Sequence, residues 1–339
     1  MSDSEARQRS APGAGPRIAV IAPSGAHLSV PAFEAALERL RAMGCELRDE
    51  VPAQPWLRFA GTDEARLAQI ERAARMTDID AVMIVRGGYG LSRLLDRIDW
   101  PLVAASVARG VRWIGYSDFT AFQLALLAQT GARSFAGPAL AGDFGAARPD
   151  AFMLAQFEAL LAGHSPDVEW AAEHDDGRLP AGESVQGVVW GGNLSLVAAL
   201  VGTPYLPEVD GGLLFVEDVA EHPYRVERML HQLLFAGVLA RQRALILGGF
   251  TAWKAASHDN GFDLRTVIDY FRARLPQLPI VCGLPFGHLP GKAILELGRR
   301  YRLQRVNDAG WCLRPLGEDG SDGSDGNAGG SGSASSGGH

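Results

Sequence analysis

The first half of the chain alternates between short apolar runs and helical segments, and this alternation restricts the fold more than any other sequence feature. The predicted strands are 17–22, 80–85 and 111–115. The predicted helices, which place apolar residues three and four positions apart, are 31–43, 64–76, 91–95 and 120–129. Strands that alternate with helices in this way predict a parallel sheet with helices packed on its faces.

The pattern changes near residue 160, which predicts a second structural unit. From residue 188 onward, short strand-like runs are mixed with two strongly helical segments, 194–201 and 224–236. We therefore predict an α/β protein with an N-terminal Rossmann- or flavodoxin-like parallel-sheet domain and a C-terminal α/β domain with irregular or barrel-like strands. The predicted units are a flexible arm at 1–16, the N-terminal domain at 17–162, a linker at 163–187, the C-terminal domain at 188–316 and a disordered Gly/Ser/Asp tail at 317–339.

The balance of charged residues argues against a nucleic-acid-binding protein. Among the 339 residues, 32 are Lys or Arg and 39 are Asp or Glu, which gives a formal net charge of −7. Four of the acids lie in the tail after Arg314, and taking these four charges from −7 leaves −3 for the rest of the chain. A protein that binds nucleic acid needs a clear excess of basic residues on one surface.

The cysteines and the apolar segments indicate the cellular compartment of the protein. Cys45, Cys282 and Cys312 are far apart and odd in number, which predicts a reduced, cytoplasmic protein without a disulfide framework. The N-terminal residues lack the apolar core of a signal peptide, and no run approaches the roughly 18 apolar residues that span a membrane. The histidines show no H-E-x-x-H spacing. We therefore predict no membrane partner, no metal site and no cofactor.

A serine follows one of the predicted strands. The run 111–115 leads into Ser117, and an apolar helix begins at once. A serine on such a turn exposes its hydroxyl, and the amide of the next residue, Asp118, can donate to a developing oxyanion. The glycine that ends the G-x-S-x-G motif is absent, since Phe119 occupies its position. The residues alone leave two interpretations open: a nucleophile, or a helix cap.

Three glycines follow another predicted strand, in the sequence Arg86-Gly87-Gly88-Tyr89-Gly90. Glycines allow backbone amides to approach a ligand closely. A dinucleotide fingerprint that started at Gly88 would need glycine at the position of Arg93, and no suitable acid follows. The segment is therefore interpreted as an amide supplier to an oxyanion hole or as a tight turn.

A carboxylate and an imidazole also stand at strand ends in the second half. Glu217 ends the run 213–216 and His288 follows the run 281–286, so they can supply a base and its orienting partner. Glu217 could equally be a capping or salt-bridging acid, and His288 could equally be an ordinary loop histidine. Ser195 is a rival nucleophile, but it lies just inside a predicted helix capped by Asn193, which favours a packing role.

Six motifs, in order along 17–316, resemble the LD-carboxypeptidases, which are cytoplasmic serine peptidases also called muramoyltetrapeptide carboxypeptidases. The motifs are IAPSG (21–25), VRGGYG (85–90), IGYSDFTAF (114–122), GGNLSLVAALVGTPY (191–205), FVEDVAEHPYRVERMLHQLLFAG (215–237) and GLPFGH (283–288). The blocks that contain the serine, the glutamate and the histidine are specific in combination, and we find no departure in them.

The resemblance implies a Ser-His-Glu triad. Ser117 would be the nucleophile, His288 the general base and Glu217 its orienting carboxylate, with an oxyanion hole from the amides of Gly88 and Asp118. It also implies a site between two domains, a homodimer, and removal of the terminal D-alanine from murein tetrapeptides, by cleavage after the L-centre of the third, diamino residue, in peptidoglycan recycling.

A carboxypeptidase must also bind the carboxylate of its product. The candidates are Arg86, the adjacent Gly87 and the turn at Ser24, and the sequence does not choose among them. A second interpretation is a microcin-immunity-type peptidase that hydrolyses an aminoacyl-nucleotide, for which Trp190 or Trp253 could stack on the base. A third, of another class, is an inactive muropeptide-binding module, although all three triad positions are occupied.

Overall fold

A computed structural model of the chain describes residues 15–52, 54–172, 179–307 and 310–317. The strands within these ranges are β1 (Arg17–Ile21), β2 (Glu46–Asp49), β3 (Ala81–Ile84), β4 (Arg112–Gly115), β5 (Ser134–Ala136), β6 (Val168–Ala171), β7 (Ser184–Asn193), β8 (Gly212–Val219), β9 (Gln242–Thr251), β10 (Ile280–Cys282), β11 (Leu295–Leu297), β12 (Arg300–Asn307) and β13 (Gly310–Pro315). The α-helices are α1 (Val30–Ala42), α2 (Asp63–Arg75), α3 (Trp100–Ala108), α4 (Phe119–Thr130), α5 (Ala151–Leu161), α6 (Leu194–Ala199), α7 (Pro223–Phe235) and α8 (Leu264–Arg274).

The first sheet has six strands in the order β11-β5-β4-β3-β1-β2. The five strands from the N-terminal half are parallel to their neighbours, and their central members are buried on both faces. This confirms the predicted parallel-sheet α/β class. The sixth strand, β11, comes from the far end of the chain and pairs antiparallel with β5.

The second sheet has seven strands in the order β10-β9-β8-β7-β12-β13-β6. Strands β7 to β10 pair in parallel, whereas β12, β13 and β6 form an antiparallel extension. The register shifts between β8 and β9, so the predicted irregularity of the strands is present. The sheet is open within the described ranges, and no closed barrel forms.

The stretch predicted as a linker, 163–187, contributes to the second sheet. Val168–Ala171 is its edge strand, in which Val168 and Trp170 are buried and the alternate residues are exposed, and β7 already begins at Ser184. Four residues give too short an alternation to be recognised in a polar stretch. Residues 173–178 lie outside the described ranges, as do 1–14 of the predicted arm and 318–339 of the predicted tail.

The predicted helices agree with the structure except at 91–95, where only the three residues Leu91–Arg93 form a 3-10 helix. Helix α4 has an unusual position, because eight consecutive residues from Phe119 to Leu126 are buried. A helix that is apolar on all sides must be covered on all sides. Its side chains share one core with residues of β7, β8 and α6, so the start of α4 lies where the two sheets meet. No helix in the described ranges has the length and apolar character needed to cross a membrane.

Candidate active site

Ser117 lies in the tight turn between β4 and α4 and adopts a left-handed conformation, with φ of 64°. A non-glycine residue in this region is strained and requires support from its surroundings. The support comes from close packing, since a Cβ on Gly87 would lie 2.7 Å from the Ser117 Oγ and one on Gly115 would lie 2.7 Å from the Phe119 ring. The turn therefore presents the hydroxyl at the carboxyl edge of the first sheet, as in a nucleophile elbow.

The structure brings Ser117, His288 and Glu217 together in one hydrogen-bonded series. The His288 Nε2 lies 3.1 Å from the Ser117 Oγ, and its Nδ1 lies 2.7 Å from the Glu217 Oε2. Because a carboxylate only accepts, the Nδ1 proton donates to Glu217, which leaves Nε2 free to accept the serine proton. The two contacts connect residues that are 171 and 71 positions apart in sequence.

Glu217 is fully buried, and its position is fixed by its neighbours. The parallel pairing of β7 with β8 places Asn193 beside Glu217, and the Asn193 Nδ2 donates to the Glu217 Oε1 at 3.3 Å. The Cα of Gly287 lies against the same carboxylate, since a Cβ there would be 2.8 Å from the Oε2. The sequence identified Asn193 only as the cap of α6, which it is, through the Leu196 amide. Its contact with Glu217 gave no sequence signal.

Ser195, the rival nucleophile, is not part of this series. Its hydroxyl donates to the Asp218 Oδ2 at 2.6 Å, and its amide donates to the same oxygen at 2.9 Å. The Asn193 Nδ2 binds the other oxygen of Asp218 at 2.9 Å. Ser195 thus helps to anchor the start of α6 on β8, which agrees with the packing role favoured for it.

The amides of Gly88 and Asp118, the predicted oxyanion donors, lie close to the serine. A Cβ on Gly87 would be 3.0 Å from the Asp118 nitrogen, so the backbone of Gly87 and Gly88 passes beside that amide. Gly88 has φ of 105°, a conformation that favours glycine. Neither amide donates a hydrogen bond to any residue that the structure describes. Both are therefore available to a ligand, and the oxyanion role remains a prediction.

The Asp118 side chain points away from the cavity and holds two loops. Its Oδ2 accepts a hydrogen bond from the Ser24 hydroxyl at 2.7 Å and from the Leu91 amide at 3.0 Å. Burial raises the pKa of the Asp118 carboxyl. Ser24, predicted as a substrate contact, is itself fully buried. The Ser24 side chain therefore supports the loops that surround the site and does not line the cavity.

A cavity of about 200 Å³ opens in front of the Ser117 hydroxyl. Arg86 and Gly87, two of the predicted substrate contacts, line it together with Gly88 and His288. The remaining lining residues are Leu28, Ser29, Ala32, Tyr116, Ala139, Ala141 and Gly142. The cavity is thus a small recess with a serine hydroxyl, an imidazole and one guanidinium in its wall.

A buried ion pair that the sequence did not indicate lies behind His288. Tyr116 packs on the His288 ring with 5.0 Å between ring centroids, and the Lys292 Nζ lies 4.3 Å from the centroid of the Tyr116 ring. Lys292 in turn is hydrogen bonded to Asp143, and both side chains are almost fully buried. Burial raises the pKa of the Tyr116 hydroxyl, which stays protonated near neutral pH.

This arrangement has the components of acyl transfer. A hydroxyl, an imidazole and a carboxylate are connected in series, and two unengaged amides lie beside the hydroxyl. Within the described ranges, no group of three or more His, Cys, Asp or Glu side chains is arranged to hold a metal ion.

The sequence matches the profiles of two domains of one peptidase family. The LD-carboxypeptidase N-terminal domain matches residues 18–137, and the LD-carboxypeptidase C-terminal domain matches residues 186–303. The murein tetrapeptide carboxypeptidase of Pseudomonas aeruginosa is 34% identical over 284 residues, which cover 80% of this chain and 88% of that protein. The crystal structure of the muramoyltetrapeptide carboxypeptidase from Oxalobacter formigenes is 40% identical, with a TM-score of 0.79 over 88% of this chain and 98% of that chain.

A more distant similarity concerns an immunity protein. The microcin C7 self-immunity protein MccF of Escherichia coli is 26% identical over 266 residues, which cover 70% of this chain and 75% of that protein. A structure of MccF shares the fold with a TM-score of 0.77 at 23% identity, over 88% of this chain and 96% of that chain.

Proposed function

Because the chain belongs to the LD-carboxypeptidase family and is a serine-type peptidase of it, we propose that it removes the terminal D-alanine from murein tetrapeptides. The observation that carries the proposal is the hydrogen-bonded series from Ser117 through His288 to Glu217. Its support from outside the chain is the similarity to the two murein and muramoyltetrapeptide carboxypeptidases.

In the first half of the reaction, the Ser117 Oγ attacks the carbonyl carbon of the third residue while the His288 Nε2 takes the hydroxyl proton. The carbonyl oxygen becomes an oxyanion, which the amides of Gly88 and Asp118 stabilise. The C–N bond to D-alanine then breaks, and His288 returns the proton to the leaving amine. The peptide remains attached to Ser117 as an ester.

In the second half, water attacks the ester carbonyl as His288 takes one of its protons, and the same proton passes to the Ser117 oxygen when the ester breaks. The tripeptide leaves with a new carboxylate. The Glu217 carboxylate stabilises the imidazolium that forms twice in the cycle. Its burial and the hydrogen bond from Asn193 keep it in the position that this role requires.

The proposed function extends to peptidoglycan recycling, in which the tripeptide is the product. A cytoplasmic location and a homodimer remain predictions that follow from the family resemblance.

The alternative of an aminoacyl-nucleotide substrate has weaker support. The similarity to MccF at 26% identity keeps it as a candidate. Trp190 cannot offer its face to a base, because it is 1% exposed and its indole nitrogen donates to Gln242. Trp253 packs edge-on against His222 and lines neither the cavity at Ser117 nor the one next to it.

The test is mass spectrometry of the products from purified enzyme given a murein tetrapeptide and, separately, an aminoacyl-adenylate analogue. We expect release of D-alanine from the tetrapeptide alone. The Ser117→Ala variant is the matched control and should fold without releasing D-alanine. Turnover by that variant, or cleavage of the adenylate alone, would contradict the proposal.

A further inference from the structure

A second cavity, of about 330 Å³, adjoins the one at Ser117. The two cavities share three wall residues, Leu28, Arg86 and Gly88. The remaining wall of the second cavity is formed by Gly25, Ala26, His27, Leu57, Arg58 and Tyr89. A ligand whose reacting bond lies at Ser117 can therefore extend past Gly88 into this recess.

The charge of this recess is positive in a chain that is acidic as a whole. Arg58 and Arg86 line it, while no Asp or Glu of the described residues lines either cavity. The Asp118 carboxylate attracts the Arg86 charge, but it is buried and already accepts hydrogen bonds from Ser24 and Leu91. Two guanidinium groups in an acid-free recess favour an anionic ligand.

The position of Arg86 relates the recess to the chemistry. A Cβ on Gly88 would lie 3.4 Å from the Arg86 Cζ and from both terminal nitrogens, so the guanidinium packs against the Gly88 backbone. The Gly88 amide is the proposed oxyanion donor. A carboxylate bound at Arg86 would therefore lie close to the Gly88 amide. In a peptide that loses its last residue, the terminal carboxylate is about one residue, roughly 3.8 Å, from the scissile carbonyl.

Arg58 is held next to Arg86 by a shared neighbour. The Ala26 amide donates to the Arg58 carbonyl at 3.1 Å, and the Ala26 carbonyl accepts from the Arg86 Nη1 at 2.9 Å. The Arg58 side chain is exposed and lies over the Tyr89 ring, 5.8 Å from its centroid, and it makes no ion pair with any residue in the described part of the chain. Burial and the proximity of Arg58 lower the pKa of Arg86. A bound anion would oppose this lowering, because a nearby negative charge favours the charged guanidinium.

His27 adds a third polar group to the wall. Its ring stacks on Phe33 with 5.4 Å between centroids, and its Nδ1 is buried with no hydrogen-bond partner among the described residues. Because this atom is not accessible, the His27 ring shapes the wall of the recess but does not offer its Nδ1 to a ligand there.

We propose that Arg58 and Arg86 form a subsite that binds a carboxylate of the peptide substrate. The inference rests on the proposed function and adds the residues that select the substrate. Two carboxylates fit the chemistry: the terminal one of the leaving residue, and the side-chain one of a diaminopimelate at the third position. An amine-bearing lysine at that position offers no such group.

The experiment measures kcat/KM on three tetrapeptides: one with meso-diaminopimelate and a free terminus, one with a D-alaninamide terminus, and one with L-lysine at the third position. The variants are Arg58→Gln and Arg86→Lys, with Arg58→Lys as the charge-preserving comparison. Arg75→Gln is the matched control, because Arg75 is an exposed arginine on α2 that pairs with Glu71.

We expect Arg58→Gln to lower kcat/KM roughly tenfold to a hundredfold on the substrate that carries the bound carboxylate. The same substitution should have little effect on the substrate that lacks it. A loss specific to the free terminus identifies the leaving carboxylate, and a loss specific to diaminopimelate identifies the side chain. Arg58→Lys should retain most of the activity and Arg75→Gln all of it. An equal effect of Arg58→Gln on all three substrates, or none, overturns the proposal.

Binding to the Ser117→Ala variant by calorimetry separates this inference from the proposed function. This measurement requires no turnover, so it remains valid if the wild-type enzyme fails to release D-alanine. We expect the tetrapeptide to bind more tightly than its amidated or lysine-containing counterpart, and Arg58→Gln to remove the difference. Equal affinities of all three peptides for the Ser117→Ala protein would overturn the subsite.

Discussion

Lys292 and Asp143 form a buried ion pair that joins the loop carrying His288 to the N-terminal half of the chain. Asp143 lies in the π-helical turn Leu140–Phe144, and Ala141 of this turn lines the cavity together with the preceding Ala139. The two residues of the ion pair are 149 positions apart in the sequence. The pair connects the two parts of the molecule that carry His288 and Ser117.

Substitution of Lys292 by methionine should destabilise the protein strongly. Removal of one partner leaves the Asp143 charge buried, which costs about 3–5 kcal/mol of the free energy of unfolding. Burial raises the pKa of the Asp143 carboxyl and the Lys292 charge opposes this, so without Lys292 the carboxyl should take up a proton. Urea denaturation measures the loss. The double variant Lys292→Met/Asp143→Leu should recover part of it, and an unchanged midpoint for the single variant would contradict the structural role.

Substitution of Gly87 by alanine should remove most activity while the protein remains folded. The added Cβ would meet the Ser117 Cβ and Oγ at 2.7 Å, and something must move to relieve this overlap. The hydroxyl is the group displaced most easily, and a misplacement of about 1 Å costs on the order of a hundredfold in rate. Steady-state kinetics measures kcat, and the melting temperature controls for stability. Full activity would show that the Gly87 backbone does not restrict the hydroxyl.

Substitution of Glu217 by glutamine tests the orientation of the imidazole. A glutamine amide fits the same space but can donate to the His288 Nδ1, which stabilises the tautomer that cannot accept from Ser117. We expect kcat to fall by about 10⁴, the magnitude seen when a triad carboxylate becomes an amide. If kcat stayed within about tenfold of the wild type, Glu217 would be a packing residue only.

Asp118 should give the protein a specific pH dependence of stability. Burial raises its pKa in the folded state above the ordinary value of 3.8, so the folded protein binds this proton more tightly than the unfolded chain does. The associated stabilisation is complete below the ordinary pKa and is lost as the pH rises through the folded-state pKa. Asp118→Asn removes this titration but keeps an oxygen that can accept from Ser24.

The measurement is urea denaturation of the wild type and Asp118→Asn between about pH 4 and pH 7. The free energy of unfolding of the wild type, relative to the variant, should decline as the pH rises. A difference that stays constant over this range would show that the Asp118 pKa is the same in the folded and unfolded states.

The sequence predicted the features that depend on local patterns. The strand and helix alternation of the first half gave the parallel sheet, and the abrupt end of β4 placed Ser117 at a strand end. Glu217 instead lies within β8, which continues to Val219, and His288 lies in the loop after β10, which ends at Cys282, so the predicted strand ends were displaced for both residues. The spacing of these residues in the sequence did not predict that they would lie together. Only the family resemblance predicted that. Their catalytic roles remain predictions, now with a geometry in which each contact can be tested.

The features that the sequence did not predict depend on contacts between distant segments. Lys292 is one of only two lysines in the chain, but this rarity reflects composition and says nothing of Asp143. Asn193 was recognised as a helix cap through its oxygen, while its nitrogen binds Glu217 across a strand pairing that no local pattern encodes. Strand β11 has only three residues, too few for a periodic signal.

Strand β11 also has a consequence for how the protein folds during its synthesis. The parallel sheet that carries Ser117 is completed at one edge by Leu295–Leu297, which leave the ribosome more than 150 residues after the strand they pair with. The edge of β5 therefore stays uncovered until those later residues are made, and the serine turn acquires its final surroundings only then. A fragment that stops before residue 295 would expose this edge to other chains, so truncated products should be prone to association rather than to unregulated cleavage.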